Sequence, residues 1–365
     1  MNVALQKTLV LLLLLGLGGL LRSRMKSQES LGGIKELILT VALPSTIFIA
    51  LMKVNLDSSL VFVPILTLAL NLLIFYTLPL LFPIIGLAKN SPAGRTLMLL
   101  IPSLAPGLSC FPFIAEFLGE KDLALAALAD VGNKFFVLIF LYIMALNMFL
   151  DNGDRKAVNI TGKIRHLLLS LFKEPVNGVI VLALLLLSFG VQYSRLPTVI
   201  TDLMDKTAAL MTPLVLIYIG LAVQLKAGRK KLVMSVLLFR AGISILISVA
   251  VIALLRIQSP NLLLLMVVIP LSSASFWPLA HITAFHHREN QQGLSKERRS
   301  FDPELAVLLL AFSLPFSSML ILGILSAGNM FTDPVLLVAL GMAFIIAGII
   351  PHLKVFLAQR YSKTG

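Results

Sequence analysis

The sequence predicts an all-α membrane protein of about eleven transmembrane helices. Ten of them form two inverted five-helix repeats, in which broken helices 4 and 9 cross, and one extra helix follows at the C-terminal end. Three observations predict this. Apolar runs of membrane-crossing length recur along the chain, Lys and Arg gather in alternate loops, and proline patterns repeat five spans apart.

Hydrophobic residues make up 58% of the 365 residues and charged ones 13%, about half the usual ~25% charged share of a soluble protein. A soluble core cannot absorb that surplus. Crossing ~30 Å of hydrocarbon takes roughly 20 helical residues. Runs of that kind fall at 6–21, 34–52, 58–83, 96–119, 123–150, 175–193, 206–225, 232–255, 261–285, 303–326 and 334–353. Residues 1–21 have the Leu-rich look of a signal peptide, but no small-residue cleavage site precedes Arg22 and Arg24, so they read as a retained first helix.

The net charge of +13 raises nucleic acid as a partner, but nucleic-acid binders cluster their basic groups on a soluble face. Here those groups sit in loops between spans. With the N-terminus outside, only Lys7, Lys53, Lys121, Arg195, Lys206 and Arg256 fall on the outer side, and Lys35, Lys134 and Arg240 fall at or inside spans. The other 21 of the 30 Lys and Arg residues fall on the cytoplasmic side, where short loops retain positive charge. The expected location is therefore the inner membrane, multi-pass, with the N-terminus outside and the C-terminus cytoplasmic. The single cysteine, Cys110, excludes an intrachain disulfide and a cysteine metal cluster. Neither a metal nor a cofactor is expected.

Pro44 interrupts span 2 and Pro213 interrupts span 7. Span 4 carries Pro102, Pro106 and Pro112, and span 9, at the same offset, carries Pro270 and Pro278. Spans 5 and 10 open alike, as Asp122-Leu-Ala-Leu-Ala and Glu304-Leu-Ala-Val-Leu. An odd number of spans per unit forces the second copy to enter the membrane upside down. The chain divides accordingly into a first repeat at 1–150, a basic linker at 151–174, a second repeat at 175–326 and an added helix with tail at 327–365. Proline removes a donor and frees a carbonyl that hydrocarbon cannot satisfy. Spans 4 and 9 are therefore expected to break at mid-membrane beside protein or water, their half-helix ends presenting N–H groups that suit an anion.

The segments LLLLLGLGGLLRSR, IKELILTVALPSTIFIAL, FPFIAEFLGEKDLALAALADVGN, KEPVNGVIVLALLLLSFG and MTPLVLIYIGLAVQLK resemble the auxin efflux carrier family of permeases. That family belongs to the superfamily that includes bile-acid/sodium symporters. The likeness spans roughly residues 5–325. It implies ten helices in two inverted repeats, a scaffold and a transport domain, and a small organic anion such as a carboxylate as substrate. Two departures stand out. Ala105 and Cys110 occupy positions where the family usually carries Asn and Gly, and the eleventh span lies outside the repeat.

The two repeats differ most at Asp130-Val-Gly-Asn133-Lys134, which faces Phe312-Ser-Leu-Pro315-Phe316 in the second copy. Counting from residue 123, Lys134 lies roughly 16 Å deep, where a charge costs at least about 2.5–3.5 kcal/mol. Asp130 stands one turn earlier, in the favourable acid-first order. The pair reads either as a structural ion pair, or as a site in which Lys134 or Asn133 contacts a substrate carboxylate while Asp130 titrates. Substrate contacts are also expected from Gly107, Ser109, Ser272, Ser273 and Ser275 at the two breaks. Glu116 reads as a gate, a proton acceptor or a solvated rim group. For Arg240 the preferred reading is snorkelling towards the cytoplasm, and for His281 a packed side chain. No clustered acids and amides suggest sodium coupling.

Integral-membrane enzymes show HExxH, Gly-x-Ser-x-Gly or paired aspartate motifs, none of which occurs. The expected function is a secondary transporter, potential- or proton-driven. Its partners are a small organic anion, the lipid bilayer and, left open, a second copy in a homodimer. The alternative is a transporter-derived sensor or scaffold that binds a solute without moving it.

Overall fold

In the computed structural model every regular element is helical, and no strand occurs among the described residues. The structure describes residues 3–25, 27–53, 62–152, 167, 169, 174–222, 229–291 and 298–352. The start of the third predicted span and most of the basic linker lie outside them.

Helix α1 spans Val3–Leu21. Helix α2 (Gln28–Leu37) continues through a π turn at Ile38–Ala42 into α3 (Leu43–Met52). The widening has a cause: Pro44 cannot donate to the carbonyl four residues back, and the ladder adapts as Leu43 N–H reaches Ile38 O. Helix α4 (Phe62–Thr77) leads to a short helical turn at Leu78–Leu80. Next come α5 (Pro92–Leu100), α6 (Pro106–Ser109) and α7 (Phe111–Phe117), then α8 (Glu120–Phe135), which runs through a second π turn into α9 (Leu141–Leu150).

Helix α10 (Pro175–Ser188) is followed by α11 (Thr198–Ala208) and α12 (Met211–Ala222). The chain leaves the helix at 209–210, just where Pro213 has no N–H to offer the carbonyl of Ala209. Helices α13 (Lys230–Leu255), α14 (Pro260–Val268), α15 (Trp277–Gln291), α16 (Pro303–Ala327) and α17 (Pro334–Ile349) complete the chain.

Among the described residues, seven helical stretches are long and apolar enough to cross a membrane: 29–52, 62–80, 120–150, 198–222, 230–255, 303–332 and 334–352. Two shorter apolar helices, 5–21 and 175–188, accompany them. The remaining apolar length lies in two interrupted segments, α5 to α7 and α14 to α15.

Because lipid is as apolar as leucine, packing here relies on close approach rather than on burial from water. A Cβ at Gly18 would lie 2.2 Å from the Ile217 carbonyl oxygen, and one at Gly220 2.2 Å from that of Leu15, so α1 and α12 meet backbone to backbone. Between α4 and α8, Gly132 plays the same part against Pro64.

The apolar side chains form two clusters, and both interrupted segments pass from one to the other. Leu97–Ile101 belong to the second cluster and Cys110–Ile114 to the first, whereas Leu264–Ile269 belong to the first and Ile282 and Phe285 to the second. The breaks therefore sit where the two clusters adjoin.

Candidate functional site: two helix breaks and a buried ammonium

The first segment is outside helical structure at 101–105 and the second at 269–276. Prolines punctuate both alike. Pro102 and Pro270 lie just after the first half-helices, while Pro106 and Pro278 lie in the first turns of the second halves, and Pro112 opens α7. The two breaks bond directly to each other, the Ala105 N–H donating to the Ser273 carbonyl at 2.8 Å.

Serine hydroxyls replace the missing ladder. Ser109 Oγ accepts from the Ser273 N–H at 2.9 Å and donates to the Ala105 carbonyl at 2.9 Å. Ser103 Oγ accepts from the Ser275 N–H at 3.0 Å and donates to the Leu100 carbonyl at 2.6 Å. Ser313 on α16 accepts from the Ala274 N–H at 3.2 Å. These bonds satisfy backbone groups that would otherwise each cost several kcal/mol in a nonpolar surrounding.

Arg240 corrects the snorkelling expectation. The residue is 4% exposed, and its guanidinium donates to the carbonyls of Ser272 at 2.5 Å and Ser103 at 3.3 Å. The carbonyls freed by the breaks are acceptors close at hand, and charge-assisted bonds to them offset the loss of water.

Lys134 sits beside these bonded breaks with three partners. Its Nζ is 3.4 Å from Asp130 Oδ2 and 3.1 Å from Glu174 Oε2, and it donates to Asn177 Oδ1 at 3.1 Å. Asn133 ties the pair to the break, donating to Asp130 Oδ1 at 2.8 Å and to the Leu104 carbonyl at 2.9 Å, and accepting from Asn71 Nδ2 at 3.1 Å. Burial pushes the Glu174 carboxyl above its ordinary range; the Lys134 charge pulls it down and Asp130 adds to the rise.

A cavity of about 1340 Å³ opens onto this network. Its lining includes the charged Arg22, Lys35, Glu36, Asp130, Lys134 and Glu174, together with Pro106, Gly107, Asn133, Ser273, Ser275 and Trp277. The structure thus brings together most of the residues singled out from sequence. Ser109 and Ser272 are fully buried behind the lining. Glu116 is elsewhere: with Lys7 it lines a separate cavity of about 540 Å³, where the Lys7 ammonium donates to its backbone carbonyl at 2.6 Å. His281 is a packed side chain, its Nε2 3.1 Å from the Val137 carbonyl and its ring edge-on to Tyr142.

Glu174, Asn177 and Asn71 escaped the sequence reading. A signal existed for Asn71, a lone amide in the apolar run FVPILTLALNLLIFYT, since polar groups inside such runs point to function. Glu174 is the last residue of the segment assigned to the basic linker, just ahead of the span that Pro175 opens, so nothing in its sequence context marks it as part of a site.

Among the described residues, no group of three or more His, Cys, Asp or Glu is placed to hold a metal ion. Fold and site define a helical membrane protein with a polar, charged centre. No family model matches the chain, and no curated protein matches it.

Proposed function

We propose that this chain is a secondary transporter that moves a small organic anion, a carboxylate, across the inner membrane by alternating access. The observation that carries the reading is the pair of bonded helix breaks beside a cavity that also contains Lys134. Irregular backbone at membrane depth is tolerated where it is buried in protein or lines a water-filled cavity, as at the binding sites of carriers. Counting the seven long helices, the two shorter ones and the two interrupted segments as crossings gives eleven. On this reading ten of them form two inverted five-helix repeats, and α17 is an addition.

The resemblance of the sequence to auxin efflux carriers supports the same class. The large cavity then faces the cytoplasm, since Arg22 and Ser23, on the loop assigned to that side, line it. The second half-helix α15 starts at the second break, so the positive end of its dipole lies beside the bonded breaks, which favours an anion. A membrane potential of 100 mV is worth about 2.3 kcal/mol per charge, roughly a fiftyfold gradient of a monovalent anion.

The test is a thermal-shift screen of small carboxylates on purified protein, followed by flux of any stabilising anion into proteoliposomes with and without an imposed pH gradient or potential. Saturable flux that Lys134→Ala removes and Lys134→Arg partly restores is the expected result. Binding without passage would point to a sensor instead. Neither binding nor passage of any carboxylate would overturn the reading.

A further inference from the structure

We propose that the Glu174 carboxylate is an internal stand-in for the substrate carboxylate on the Lys134 ammonium, and that substrate displaces it while Glu174 takes up one proton. This rests on the carrier reading above, and assigns proton coupling to Glu174 rather than to Asp130 or Glu116.

The two carboxylates around Lys134 are held differently. Asp130 uses both oxygens, Oδ1 accepting from Asn133 and Oδ2 facing Lys134, and its side chain is 8% exposed. It belongs to the same helix as the ammonium and cannot leave it. Glu174 is 27% exposed, and its contacts among the described residues run through Oε2 alone, with Lys134 and with Asn177 Nδ2 at 3.3 Å. It stands at the start of a different helix, α10, and cavity water reaches it. Glu174 is therefore the ligand that can be exchanged.

Charge counting supplies the proton. Lys134 with Asp130 and Glu174 carries a net charge of −1, and an incoming carboxylate would raise it to −2 in a confined site. Like charges so close are strongly disfavoured. A proton taken from cavity water onto Glu174 keeps the count at −1 and frees Lys134 for the substrate oxygen.

The other charged groups do not alter this count. Lys35, Glu36 and Arg22 line the same cavity, with the Lys35 ammonium 4.8 Å from the centre of the Phe276 ring. On α3 and α8, which pack against α10, Lys53 pairs with Glu120 at the opposite ends of those helices, where Lys121 and Asp122 also lie. Arg240 donates to the two break carbonyls. The exchange has a mechanical consequence as well: the Lys134–Glu174 contact joins α8 to α10, so proton plus substrate together remove one of the two polar ties between these helices and leave the Lys134–Asn177 bond.

The cavity contains the protein's sole tryptophan, Trp277, which provides the readout. Purified full-length protein is titrated with sodium succinate and sodium propionate, against sodium chloride as control, between pH 6 and 8, and Trp277 emission is followed. In the wild type the apparent affinity for a responding anion falls with pH, by up to about tenfold per unit. Glu174→Gln is expected to bind at pH 8 as tightly as wild type does at its low-pH limit, with a flat profile. A pH electrode in weakly buffered wild-type solution should register close to one proton taken up per anion bound, and this measurement decides the matter if the variant does not fold. Equal pH profiles in wild type and variant, or no proton uptake on binding, would overturn the exchange and leave the carrier reading standing. No Trp277 response to either anion in either protein would remove the carboxylate site itself, and the exchange with it.

Discussion

Gly132 is where helix packing and the polar centre depend on each other most directly. A Cβ there would lie 1.9 Å from the Pro64 carbonyl oxygen, 2.7 Å from its carbon and 2.9 Å from its Cα, all backbone atoms of α4 that cannot rotate away. To bring the shortest contact to about 3.0 Å, α4 and α8 must separate by about 1.1 Å. The adjacent Asn133 accepts from Asn71 across the same gap at 3.1 Å, and a shift of that size takes the pair beyond hydrogen-bonding range. Overpacking costs about 1–3 kcal/mol, and a buried amide left unpaired about 1–3 more. Against this, alanine is a better helix former than glycine by ~1 kcal/mol. The net effect of Gly132→Ala is a loss of about 1–5 kcal/mol. Gly178→Ala is the control, because nothing lies within 4 Å of a Cβ there, and helix propensity alone should make it neutral or slightly stabilising. Thermal unfolding of both variants in the same detergent separates the cases. If Gly132→Ala melts with Gly178→Ala, the close approach of α4 and α8 is wrong, and so is the placement of Asn71 against Asn133.

The breaks give further expectations. Ser109→Ala leaves the Ser273 N–H without its acceptor and should cost about 1–3 kcal/mol, whereas Ser188→Ala, which removes only an exposed bond to Leu184, should melt as wild type does. Arg240→Lys ends one bond short of the Nη2 that reaches both the Ser103 and Ser272 carbonyls and should lose about 1.5–3 kcal/mol for the charged bond that is not remade; an unchanged melting temperature would show that the clamp does not hold. Because burial raises the Glu174 carboxyl, the folded state holds that proton more tightly than the unfolded one. Its contribution is therefore fully present at acid pH and is lost as pH rises through the folded value, above the ordinary glutamate range. Melting temperature against pH should show this fall in wild type and a flatter curve in Glu174→Gln.

Much of the architecture was legible in the sequence because membrane solvation acts locally. An apolar run of crossing length needs no partner to be recognised, and a proline removes its hydrogen bond whatever surrounds it. Thus the interruptions ahead of Pro44 and Pro213, and those at 101–105 and 269–276, fall where the prolines place them. Lys134 stood out for the same reason, a charge where hydrocarbon was expected. Arg240 was misread because the acceptors that hold it, the carbonyls of Ser103 and Ser272, exist only once two distant helices have broken side by side.

Sequence by itself marked a helical membrane protein, placed the interruptions beside Pro44, Pro102, Pro213 and Pro270, although α16 runs unbroken through Pro315, and set an acid, an amide and a lysine within one turn of α8. Tertiary structure alone decided that the breaks bond to each other, that Arg240 fastens them, and that Glu174, forty positions from Lys134, shares its ammonium with Asp130 while Glu116 lies in another cavity. The physical reason is one of range. Periodicity and backbone chemistry act over a few residues and can be read along the chain, but a buried charge takes whatever partner the packing of separate helices brings within about 3 Å, and nothing in the local sequence names that partner.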